Sequence, residues 1–153
     1  MLLCLITLCV YILIAYFICV ILLAFVSLPG SYLEKHGKKH SKKNYILAVI
    51  ISSVAQTYLY LTYIAFVVHN AYSVIKPQRI ESILVWGVAF LSSVLPIFFI
   101  LKKHMLWEKE TGNKDSMVTA FKITMIAAVA GFFIFTVNPS VVNIFWSHSF
   151  FKL

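Results

Sequence analysis

Of the side chains able to do chemistry, histidine is considered first, because haem and metal sites depend on it. The chain carries five, His36, His40, His69, His104 and His148, and none falls in the middle of a long apolar stretch. His69 and His104 end up on opposite sides of any membrane the chain crosses, about 30 Å apart, too far to share one iron. His36 and His40 are four positions apart, a spacing that places two imidazoles on one helical face, and His104, Glu34, Glu108 and Glu110 could complete such a metal site. Five lysines crowd the same segment, EKHGKKHSKK, and would repel a cation, while Gly37 weakens any helix there. This segment reads as a solvated basic turn; no metal and no cofactor is expected.

Acid–base and nucleophilic chemistry fare no better. All five acids, Glu34, Glu81, Glu108, Glu110 and Asp115, sit in polar segments or at their edges. Cys4, Cys9 and Cys19 are spaced by five and ten, which matches no metal or redox motif, and buried cysteines usually act as small hydrophobes. No phosphate-cradling glycine loop and no Ser-His-Asp set can be assembled. What remains is an uncharged line. Ser52, Ser53, Gln56, Tyr60 and Tyr63 fall within an arc of roughly 100° on a helix, and Asn70 continues it. Such residues hydrogen-bond across helix interfaces or line a cavity for a neutral solute.

The elements that must position this line follow from composition. Of 153 residues, 61% are hydrophobic and 12% charged, with a mean hydropathy of +0.93, more apolar surface than a small water-soluble domain can hide. The fold class is therefore all-α, an integral membrane protein with four transmembrane helices arranged as two helical hairpins. The spans fall at about 2–28, 45–69, 80–101 and 117–137, and with three loops they occupy nearly the whole length as one membrane domain. A short aromatic tail, 138–153, suits the membrane interface. Span one has no basic leader and is longer than a signal-peptide core, so it reads as a retained helix ending at Leu28-Pro29-Gly30. Pro96 should bend span three, with Ser92 or Ser93 satisfying a freed carbonyl. In span four, Ala120, Thr124, Ala127, Ala128 and Gly131 form a small-residue seam that allows close helix approach, while Lys122 on the opposite face can snorkel to headgroups.

Charge sets the expected orientation. The net charge is +8. Ten lysines (Lys35, Lys38, Lys39, Lys42, Lys43, Lys102, Lys103, Lys109, Lys114 and Lys122) lie on the side of segments 31–44 and 102–116, against Lys76, Arg79 and Lys152 on the other. The excess of basic residues places both segments in the cytoplasm and both termini outside. Lys35, Lys38, Lys39, Lys42 and Lys43 are expected to meet lipid headgroups. Lysine in preference to arginine suggests a bacterial inner membrane, and no basic patch with interleaved aromatics points to nucleic acid.

These observations lead to a non-enzymatic subunit or accessory partner of a larger membrane complex. Its contact surfaces would be the Gln56 line and the seam of Thr124, Ala127, Ala128 and Gly131, and its partners membrane lipids and other subunits or copies of itself. The alternative is a transport component for an uncharged solute or lipid, lined by the span-two residues. A second alternative is an enzyme using polar groups at the cytoplasmic interface.

Overall fold

The computed structural model describes residues 2–36, 42–75, 79–112 and 114–147. All regular structure among them is α-helical: α1 (Leu2–His36), α2 (Lys42–Val74), α3 (Arg79–Thr111), α4 (Ser116–Val137) and the short α5 (Pro139–Ser147). Four of these helices are long and apolar enough to cross a membrane.

The first three helices outrun the apolar spans that hydropathy marks. The segments 31–44, 70–79 and 102–116, expected as loops, are largely helical extensions: α1 continues to His36, α2 begins at Lys42, and α3 carries on through Lys102 to Thr111. Once a helix is nucleated, each added residue gains a hydrogen bond, and lysine and glutamate are good helix formers, so polarity alone does not end it. Neither does Pro29. It lies inside α1, and the helix runs on past the expected stop at Leu28-Pro29-Gly30.

True ends carry recognisable chemistry. Gly112 adopts φ 67°, the left-handed conformation that suits glycine after a helix, and its N–H bonds the Glu108 carbonyl to close α3. Asp115 caps α4 by accepting from the Met117 N–H at 2.9 Å. Asn138 does the same for α5 through the Ser140 N–H at 3.2 Å, with Pro139 at the first helical position.

α2 is the central helix and packs against all four others. Its most extensive partners are α4 and α1, so the expected first and second hairpins do not stand as separate units. Paired residues give the directions. Tyr45 meets Thr119, Thr57 meets Thr124 and Tyr72 meets Thr136, so α2 and α4 run parallel. Tyr60 meets Ser93 and Tyr72 meets Trp86, so α2 and α3 run antiparallel. The aromatic tail folds back: Trp146 of α5 stacks on His69 (4.8 Å, 13°) and touches Phe66, Phe145 meets Phe135, and Val142 is buried. Phe17, Phe25, Ile126 and Phe133, by contrast, point away from the bundle.

Two glycines set helix spacing. Gly30 brings α1 over Ser52 and the Ala48 carbonyl, where a Cβ would collide with the Ser52 hydroxyl. Gly131 brings α4 onto Leu61 of α2. Gly131→Ala can be met by rotation of the Leu61 tip. Gly131→Ile cannot, and should destabilise the protein by about 1–3 kcal/mol through overpacking. Reversible unfolding in mixed micelles would measure this, and Leu61→Ala in the same chain should recover part of the loss. Equal stability of wild type and Gly131→Ile would show that α2 and α4 do not meet here.

Candidate functional site

The polar line of α2 is buried along most of its length and divides into two parts. Tyr60 and Tyr63 are both enclosed, their rings 5.5 Å apart, and both hydroxyls reach the backbone of α3 at its proline. Pro96 has no N–H to offer the Ser92 carbonyl four residues back, and its ring crowds that turn. The Tyr63 hydroxyl donates to this Ser92 carbonyl at 2.9 Å. One turn position on, the Tyr60 hydroxyl accepts from the Ile97 N–H at 3.2 Å and donates to the Ser93 carbonyl at 2.8 Å. It thus bridges the Ile97 N–H and the Ser93 carbonyl across the turn that contains Pro96.

This corrects one expectation. The serines do not repair the proline break: Ser92 and Ser93 bond back to the Val88 and Ala89 carbonyls, at 2.7 and 2.8 Å, within the preceding turn. A serine hydroxyl is too short to reach forward past its own carbonyl, whereas a tyrosine on a neighbouring helix delivers its hydroxyl some 6 Å from its backbone. Sequence alone could have flagged that Pro96 needs donors; it could not say that α2 supplies them.

The second part is Ser52, Ser53 and Gln56. All three are buried, Ser52 and Gln56 with no exposed surface, and the Ser52 and Ser53 hydroxyls and both amide atoms of Gln56 have no hydrogen-bond partner. Buried polar atoms are nearly always paired, and leaving one unpaired costs about 1–3 kcal/mol. Four such atoms within five residues on one helix face therefore need an external reason. Hydroxyls and a carboxamide together offer both donors and acceptors and carry no charge. They suit a neutral hydrogen-bonding group. Gly30 of α1 covers Ser52, and one position beyond Gln56 the Thr57 and Thr124 hydroxyls lie 3.5 Å apart between α2 and α4.

Other expected site residues are placed as follows. Thr124, Ala128 and Gly131 are buried and Ala127 half-buried; Gly131 and Thr124 meet Leu61 and Thr57. The seam and the line therefore belong to helices that pack on each other within the chain. Asn70 does not join the cluster; its side chain donates to the Phe66 carbonyl of its own helix at 2.8 Å. Lys42 and Lys43 are exposed in the first turn of α2. Lys38, Lys39 and His40 lie outside the described residues, as do the side chains of Lys35 and His36. His104 faces Asp115 at 3.5 Å and the Phe121 ring at 5.0 Å. Among the described residues, no three of His, Cys, Asp and Glu gather as a metal site would require.

The reading of residues missed Tyr72 and Tyr45. The Tyr72 hydroxyl donates to the Thr136 carbonyl at 2.6 Å, at the open end of α4, and Tyr45 pairs with Thr119 at 3.1 Å near its start. The two tyrosines thus tie both ends of α4 to α2. Tyr45 begins span two and Tyr72 lies beyond its expected end, and neither position by itself reveals a partner on span four.

Compared with known proteins, the chain matches no family model, no curated protein and no solved structure. Any functional reading rests on the site itself.

Proposed function

We propose that the chain is a non-enzymatic integral membrane protein, acting as a subunit or accessory binding partner of a larger membrane complex. Its four long helices would cross the bilayer, with segments 31–44 and 102–116 in the cytoplasm and both termini outside. Outward-facing apolar side chains such as Phe17, Phe25, Ile126 and Phe133 support insertion, since in water they would leave an unusually large apolar surface exposed. A bacterial inner membrane fits the lysine-rich composition.

The observation that carries the binding role is the unpartnered, uncharged group of Ser52, Ser53 and Gln56. In hydrocarbon there is no water to satisfy such atoms, so they are expensive unless they meet a ligand group. α1 screens Ser52 and packs mainly on α2, so displacement of this one helix would open the site to a partner's transmembrane segment. Purification in mild detergent, followed by mass spectrometry, tests the reading. Wild type should carry a second protein or a neutral small molecule that Gln56→Leu loses. A bare, solitary wild-type monomer across several detergents would sink it.

The enclosure of the cluster within one chain favours a second reading, a transport component for an uncharged solute. Ser52 and Gln56 would then line the pathway, and Tyr60 and Tyr63 would fix the α3 bend beside it.

A further inference from the structure

A second surface feature lies away from Gln56, along α3 and α4 toward the side proposed as cytoplasmic. Two contiguous apolar depressions, of about 580 and 410 Å³, share Leu101 and Met125 in their walls. The first extends along α4 over Ile126 and Ala130, and Lys122 stands at its edge. The second extends along α3, where Lys102, Met105, Leu106 and Lys109 all line it. Those four residues are spaced i, i+3, i+4 and i+7, one helix face, and the two lysines are roughly 10 Å apart along the axis. The His104 ring contact with Phe121 sets Lys122, the next residue, level with Lys102 on the facing helix. Lys122 thus lends its stem to the wall of the first depression, and Lys102 and Lys109 lend theirs to the second. Of the acids on these segments, Glu108 accepts from the Asp115 N–H at 3.4 Å, the Asp115 carboxylate faces His104 at 3.5 Å, and Glu110 is exposed beside Lys109.

We infer that this groove binds an anionic phospholipid, with an acyl chain lying over Leu101, Met125 and Ala130 and the phosphate held by Lys102, Lys109 and Lys122. Both halves of the occupant are required by the surface. A groove with almost wholly apolar walls takes a hydrocarbon chain, and lysines along its rim take a net negative head. A zwitterionic lipid brings its own ammonium group and gains less from them. Each lysine near an anionic head is worth roughly fivefold in affinity, so the three together should give about 100-fold selectivity.

The inference rests on the membrane reading above, and the test separates the two. Full-length protein is reconstituted in bilayers of phosphatidylcholine with phosphatidylglycerol, checked for resistance to alkaline extraction, then examined by native mass spectrometry for retained lipid. Wild type should retain phosphatidylglycerol strongly over phosphatidylcholine. The triple variant Lys102→Gln, Lys109→Gln, Lys122→Gln should lose most of that selectivity, whereas Arg79→Gln, Lys103→Gln, Lys114→Gln, with the same net charge, should keep it. Ala130→Trp, which fills the groove and leaves every lysine, should weaken retention of both lipids. No preference in wild type, or equal loss in both triple variants, would overturn the site, leaving insertion intact. Wild type released by alkaline extraction would overturn insertion itself.

Discussion

Tyr63→Phe is expected to cost about 1–2 kcal/mol of folding stability, and most of that cost should vanish in a Pro96→Ala background. The Ser92 carbonyl has lost its intrahelical donor to proline, and the Tyr63 hydroxyl at 2.9 Å replaces it. Removing the hydroxyl leaves a buried acceptor unpaired, which costs more than the net worth of the bond. Interhelical hydrogen bonds in membranes average about 0.6 and reach about 1.7 kcal/mol, so the effect belongs at the upper end. With alanine at position 96, a backbone N–H returns to serve Ser92, and the tyrosine becomes redundant. Tyr60→Phe should cost less than Tyr63→Phe, because the Ile97 N–H and Ser93 carbonyl that Tyr60 bridges can close on each other. A double-mutant cycle of unfolding in mixed micelles measures both effects. Equal cost of Tyr63→Phe in the two backgrounds would show that Tyr63 does not serve the proline break.

Gln56→Leu is expected to act in opposite directions on stability and function. Leucine fills a similar volume and removes two unpartnered buried atoms, so the protein should gain about 1–2 kcal/mol. A site that gives up stability in this way is the usual mark of a binding role. Under the transport reading, flux of a small neutral solute such as glycerol into reconstituted vesicles, followed by light scattering, should be abolished by the same change. A stabilised variant with wild-type flux, where wild type conducts, would exclude Gln56 from a pathway. A destabilised variant would instead make Gln56 a packing residue, and the binding role would fall with it.

Much of the architecture was legible without coordinates. Long uncharged stretches give helices whichever way they pack, since an apolar run of such length satisfies its backbone internally only as a helix or a closed barrel. The helix ends were less legible. Hydropathy reports where a chain prefers hydrocarbon, whereas a helix ends where a cap or a left-handed residue such as Gly112 ends it. Pro29, expected as a stop, and Lys42, Lys43, Lys102 and Lys103, expected in loops, accordingly lie within helices.

The site divides in the same way. Angular periodicity depends only on position along one helix, so the grouping of Ser52, Ser53, Gln56, Tyr60 and Tyr63 followed from the residues themselves, as did the seam around Gly131. Which face meets which is a matter of helix order and register, and local sequence carries neither. Only the packing of α2 at the centre decided that two tyrosines repair the break at Pro96, that Gly131 rests on Leu61, and that Gln56 is enclosed without a partner. The hydrogen bonds that tie α2 to α3 and α4 join residues 29 to 74 positions apart, and their existence depends on distances set by every other contact in the bundle.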